Sequence, residues 1–171
     1  MPTLITTPGA VDANSYATVA EADAYHDTHL YASAWTAASA NTKAVALIQA
    51  TRTLDALYEW AEWRTYETQA LAWPRSGLLD AGAMQYLDED EIPSQLKNAT
   101  AEFARQLLEA NRTADNPVEA QGIASLSAGS VSLTFRDSVV PKVVPDAVSW
   151  MLPRWWGSVR GVSIIRELER A

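Results

Sequence analysis

Residues 42–77 read TKAVALIQATRTLDALYEWAEWRTYETQALAWPRSG, and the fold turns on this stretch. Ala44, Leu47, Thr51, Leu54, Tyr58 and Ala61 recur at alternating steps of three and four, which sets them on one stripe of a helix. Lys43, Arg52, Asp55 and Glu59 fall off that stripe. The pattern predicts a helix over residues 42–62, running into Trp60, Trp63 and Tyr66. Pro74 lacks a backbone N–H and disfavours helix at Trp73, so Gln69–Arg75 reads as extended or turned, with Gly77 ending the turn. The expectation is an aromatic loop folded back over the helix end, with Trp60, Trp63 and Trp73 clustered in the core.

Two further helices flank this stretch. Thr18 and Glu21 have the spacing of a capping box, which predicts a first helix over residues 19–30 with Val19, Ala22 and Tyr25 or His26 on its apolar side. Pro93 suits a helix's first turn, and the acidic run Asp88–Glu91 before it complements the positive end of the helix dipole. Leu96, Ala99, Phe103, Leu107 and Ala110 then form a stripe over residues 94–111, with Arg105 and Glu109 paired on its wet side. Alternating residues about 122–136 predict a β-hairpin, and residues 146–152 a short helix after Pro145. Pro2, Pro8 and Gly9 make residues 1–14 an extended arm. The expected architecture is mainly α: one domain over 1–171, with a small helical bundle at 15–152, an inserted hairpin, and extended arms at 1–14 and 153–171.

Composition narrows the function. The chain has no cysteine, which excludes a disulfide framework and a thiolate zinc site. No apolar run is long enough to span a membrane, no basic-then-apolar leader opens the chain, and no membrane partner is expected. The formal net charge of −8 is unfavourable for a protein that grips nucleic acid by neutralising phosphates. Residues 1–135 carry 7 basic and 17 acidic residues, whereas residues 136–171 carry 6 basic and 4 acidic ones. That asymmetry points to a different partner for the C-terminal segment.

No motif carries enzyme chemistry. His26 and His29 are three apart on a helix, but no third ligand follows in metal-site spacing. There is no nucleophile elbow, phosphate-binding loop, dinucleotide fingerprint or His-Glu-x-x-His. No catalytic residue, cofactor or metal is expected.

Two stretches carry a resemblance. Ala13–Tyr25, with Ser15, Tyr16, Glu21, Ala22 and Tyr25, resembles the N-terminal signature of a family of tailed-bacteriophage virion proteins. Gln69–Arg75, with Trp73, Pro74 and Arg75, resembles its second signature, and Ile92-Pro93 with a further helix follows in the same order. Such proteins are often labelled DnaT-like single-stranded-DNA-binding proteins and are similar to head–tail connectors, or adaptors. The resemblance implies a structural ring of about twelve subunits. The ring would join portal to tail or stopper at the virion neck, be assembled in the host cytoplasm, and let genomic double-stranded DNA pass through its lumen. An acidic lumen fits, because it lets DNA slide. The alternative is a DnaT-like single-stranded-DNA-binding replication protein.

The C-terminal segment is expected to be the portal-docking arm. Pro153 and Gly157 bracket a break in regular structure, and Trp155 and Trp156 stand beside Arg154, residue types that dominate hot spots. Val162, Ile164, Ile165 and Leu168 form an apolar strip among Arg160 and Arg166 that must be buried on something. The competing arrangement folds the strip back onto the chain's own bundle or hairpin.

Overall fold

The computed structural model describes residues 2–80, 82, 84–114, 125–128, 131–134 and 142–160, the two short central stretches by backbone alone. Helix α1 spans Val19–His26, α2 Ser33–Thr36, α3 Ala40–Leu57, α4 Ser94–Glu109 and α5 Asp146–Ser149. Between and after them lie β1 (Tyr58–Trp60), β2 (Trp63–Arg64), β3 (Arg75–Ser76), β4 (Leu79–Asp80), β5 (Gln85–Tyr86), β6 (Ser125–Ala128), β7 (Val131–Thr134) and β8 (Gly157–Val159).

The helical core follows the sequence pattern. The predicted box caps α1: Thr18 Oγ1 accepts from the Glu21 N–H at 3.1 Å, and Glu21 reaches back to the Thr18 N–H at 2.7 Å. The α3 stripe of Ala44, Leu47, Thr51, Leu54 and Tyr58 is buried, and Leu96, Ala99 and Phe103 of α4 bury against it. Leu47, Leu54 and Leu96 are wholly covered, each contributing about 1.5–3 kcal/mol relative to exposure. Alanines at 44, 46, 50, 99, 101 and 104 keep the two helix backbones close. Arg105 does not lie on a wet side. It is buried and held by Glu102 and Glu109.

The mainly α bundle is overturned: the fold is mixed α/β, with four two-stranded antiparallel ladders among the described residues beside the helices. The helix predicted over 42–62 stops at Leu57, because Tyr58–Trp60 pairs with β8 in the register Tyr58↔Val159, Glu59↔Ser158, Trp60↔Gly157. Tyr58 and Trp60 stack at 4.7 Å, the two-residue periodicity of a strand. Aromatic residues suit such a ladder better than a helix end. β2 pairs with β3, β4 with β5, and β6 with β7. The predicted hairpin thus has strands at 125–128 and 131–134, and the rest of 122–136 lies outside the described residues.

The terminal arms, where described, are tied down. Ile5 donates to Asn14 Oδ1 at 2.9 Å, and Ala70 donates to the Ala10 carbonyl at 3.1 Å. At the other end, residues 154–156 form a 3-10 turn that feeds β8. Ala61 donates to the Trp156 carbonyl at 2.8 Å, and Arg160 to the Leu57 carbonyl at 2.7 Å. Gly157, at φ 154°, allows this approach: a Cβ there would lie 2.5 Å from the Glu59 carbonyl oxygen.

Candidate functional site

The family-signature residues act as pins in the core. Tyr16, wholly buried, donates its hydroxyl to the Asp55 carboxylate. Asp55 also accepts the Ala72 N–H at 2.9 Å, so one α3 carboxylate joins the two signature stretches. Burial, reinforced by the Asp55 charge, pushes the Tyr16 phenol well above its ordinary pKa, and burial raises Asp55 as well. Ser15 donates to the Ala17 carbonyl at 2.8 Å, Ala22 is fully covered, and the Tyr25 hydroxyl reaches Met151. Glu21 also binds Lys97 at 2.7 Å; burial alone would raise its pKa, but the Lys97 and Thr18 hydrogen bonds hold it low.

The second signature closes the other end of α3. The Trp73–Pro74 bond is cis, and Trp73 packs edge-on to Trp60 and against Trp156. The buried Arg75 guanidinium donates to the carbonyls of Ala61 at 2.6 Å, Ala72 at 3.0 Å, Trp60 at 3.4 Å, and Glu62. It is a structural clamp, not a free cation. Gln69 adds a second clamp, accepting from the Tyr66 N–H and donating to the Leu71 and Pro74 carbonyls. Asp55 is the residue the sequence does not reveal, because its partners, the Tyr16 hydroxyl and the Ala72 N–H, lie far from it along the chain.

Among the described residues, five of the ten lysines and arginines have a carboxylate within ion-pair range. Lys43 binds Asp23 at 2.8 Å, Lys97 binds Glu21, Arg105 binds Glu102 and Glu109, and Lys142 binds Asp146 at 2.6 Å. Arg160 lies 3.9 Å from Glu59. Arg52, Arg64 and Arg154 are exposed without a carboxylate partner among the described residues. His26 and His29 also make no metal centre: His26 is buried with Nε2 on the Ala101 carbonyl at 3.1 Å, and no group of three or more candidate ligands occurs among the described residues. Among those residues no helix is long and apolar enough to cross a membrane.

The ladders at the far end of α3 carry exposed apolar side chains. In the β4–β5 hairpin, Leu78 and Leu87 face the core, while the cross-strand partners Leu79 and Tyr86 face out, Tyr86 being 71 % exposed. Trp155 is 53 % exposed and its Nε1–H donates to the Leu79 carbonyl at 3.1 Å, which brings it to the same surface. Trp63, assigned to the core from sequence, is 68 % exposed and covers Gly77, with 3.4 Å between its ring and a Cβ built there. The acidic run Asp88–Glu91 is exposed beside them, fixed by the Thr65 hydroxyl on the Glu89 carbonyl and the Tyr66 hydroxyl on Asp90.

The predicted portal-contact residues divide. Arg154 and Trp155 are exposed, and Arg160 is largely so, whereas Trp156 is 2 % exposed and packed in the core. Val162, Ile164, Ile165, Arg166 and Leu168 lie outside the described residues.

A family model described as "Putative DnaT-like ssDNA binding protein" matches residues 2–171. No curated protein matches the chain, and no solved structure does. The chain belongs to that DnaT-like family.

Proposed function

We propose that this member of the DnaT-like family is a structural, protein-binding adaptor, used as a head–tail connector between the portal and the tail or stopper of a tailed phage. The observation that carries the protein-binding part is the state of the charges. Among the described residues four lysines and arginines are locked in close ion pairs and Arg75 is spent on carbonyls, and with a net charge of −8 the remaining cations are outnumbered by carboxylates. Exposed aromatics beside an acidic run repel a polyanion while offering apolar contact area to a protein. The connector assignment rests on the signature resemblance, and the ring of about twelve subunits with it. In that assembly Arg154, Trp155 and Arg160 are the described residues offered to a portal.

The second reading is single-stranded-DNA binding in replication. The family's description speaks for it directly, and more directly than any comparison speaks for the connector. Exposed Trp63, Tyr86 and Trp155 are the side-chain type on which bases stack. One titration separates the two. Fluorescently labelled single-stranded DNA is titrated with the protein at rising salt, alongside purified portal-bearing heads. The adaptor reading expects retention on heads and no sub-micromolar DNA binding. Sub-micromolar binding that weakens steeply with salt, without head association, overturns it in favour of the DNA reading.

A further inference from the structure

Leu79, Tyr86 and Trp155 form one apolar surface, built by strand alternation and by the indole hydrogen bond to Leu79. Met84, in the same hairpin, is 81 % exposed. An aromatic side chain offers roughly 150–250 Å², so this group presents on the order of 300 Å², the size of the largest apolar patch on a typical monomer. A stable globular interface uses about 800 Å² per side. The patch therefore fits a short segment rather than a whole domain face.

Its rim decides the chemistry of that segment. Asp88 follows Tyr86 by two residues, so their Cα atoms lie within about 8 Å of each other. Asp88, Glu89, Asp90 and Glu91 are exposed, and none is paired with a cation among the described residues. The run is held in place at two points, by Thr65 and Tyr66, so its charges are fixed beside the patch. Arg154 is the exposed cation beside Trp155.

From this juxtaposition we infer that the β4–β5 hairpin and Trp155 form a docking site for a short segment of another protein that carries apolar side chains flanked by lysine or arginine. The apolar side chains of the segment cover Leu79, Tyr86 and Trp155, and its cations meet the acidic run. The contact discriminates against acidic segments, because like charges would be brought together at the rim. The inference rests on the protein-binding reading above and adds the site and the partner's chemistry.

The test uses the full chain and two fluorescein-labelled synthetic peptides. One has a leucine and a phenylalanine between two Lys-Arg pairs, and the other has glutamates in place of the four cations. Binding is read by anisotropy, with labelled single-stranded DNA in a parallel titration. The basic peptide is expected to bind at least about tenfold more tightly than the acidic one, and to weaken as salt rises. Tyr86→Ala and Trp155→Ala should each weaken it several-fold. Asp88→Asn with Glu91→Gln should remove most of the salt dependence, while Asp27→Asn just after α1 should change nothing. Far-UV circular dichroism checks that each variant is folded, and Tyr86→Ala keeps the test open if Trp155→Ala is not. Equal binding of both peptides, binding of neither, or indifference to the Tyr86 substitution overturns the inference. So does self-association in sedimentation that Tyr86→Ala abolishes, since the occupant is then a second copy. Failure of the peptides without DNA binding overturns this site alone, whereas tight DNA binding overturns the protein-binding reading itself.

Discussion

The indole of Trp156 lies against that of Trp73, ring centroids 5.3 Å apart, and so joins the C-terminal segment to the loop after α3. Trp60 also meets Trp73, edge-on at 5.6 Å, which makes a three-tryptophan cluster from three separate parts of the chain. This contact places Trp156 in the core, and the β1–β8 ladder holds residues 157–159 against its edge.

Trp156→Ala is therefore expected to cost about 3–5 kcal/mol, the range for deleting a large buried aromatic. Truncation after Leu152 removes the same indole, the ladder to Tyr58–Trp60 and the Arg160 hydrogen bond to Leu57, so it should destabilise further. Urea unfolding followed by circular dichroism measures both. A truncated chain that melts near the full-length temperature would return the segment to the role of a detachable arm.

The Trp156 contact also marks where sequence reasoning stopped. The inner faces of α3 and α4 were legible, because their apolar residues repeat with a helix's own period. The end of α3 was not. Tyr58 satisfies the helical stripe and also the two-residue alternation with Trp60, and its partner Val159 lies at the other end of the chain. Asp55 looked like a solvated residue for the same reason: Tyr16 and Ala72 cover it from outside the helix. The sequence groups Arg154, Trp155 and Trp156 as contact residues, whereas the structure exposes Arg154 and Trp155 and buries Trp156. Leu79 and Tyr86 were not legible, because Leu78–Leu79 and Tyr86–Leu87 are adjacent apolar pairs without the apolar–polar alternation that marks a half-buried strand. Trp63 went to the wrong side because a helix was extended through a strand.

Arg75→Lys should be strongly destabilising despite keeping the charge. The guanidinium serves four carbonyls through a planar fork, and an ammonium on a flexible stem cannot reach that set. Leaving buried carbonyls unpaired costs roughly 1–3 kcal/mol each, so a loss of about 2–4 kcal/mol is expected. Chemical denaturation reads it directly, and an unchanged midpoint would remove Arg75 as the clamp.

Gly157→Ala tests the close approach of β8 to β1. The added methyl would sit 2.5 Å from the Glu59 carbonyl oxygen and 3.0 Å from the Trp60 Cα, both backbone positions that cannot swing aside. The φ of 154° adds strain for any residue with a Cβ. A loss of about 2 kcal/mol or more is expected, with faster amide exchange at Ala61, whose N–H bonds the Trp156 carbonyl. Wild-type exchange at Ala61 would show that the ladder does not depend on this glycine.

The last prediction concerns pH. His26 is buried between α1, α2 and α4, with its ring 4.9 Å from both Tyr25 and Trp35, and 6.0 Å from His29. Its Nε2 meets the Ala101 carbonyl, and its buried Nδ1 has no partner among the described residues. Burial lowers its pKa below the ordinary value of 6.5; Glu102 and the Ala101 carbonyl oppose the shift, and His29 and Arg105 add to it. Asp23, the other charged group facing it on α1, is held by Lys43 and the Trp35 indole. A histidine kept neutral by the fold contributes its stability in full above the unfolded value. That contribution is lost as pH falls through about 6.5, because the unfolded chain takes up the proton first. Glu21, Asp23 and Glu102 are held below their ordinary pKa values; burial alone would raise each, but hydrogen bonds from Lys97, Lys43 and Arg105 respectively outweigh it, so their contributions disappear only at lower pH. Asp55 acts with the opposite sign, since its raised pKa favours the folded state at low pH. The melting temperature should therefore fall between pH 7.5 and 5.5, ahead of any carboxylate effect. His26→Gln can still donate to Ala101 but does not titrate, so it should flatten that fall whatever its own stability. A wild-type slope retained in the Gln variant would assign the acid sensitivity to another group.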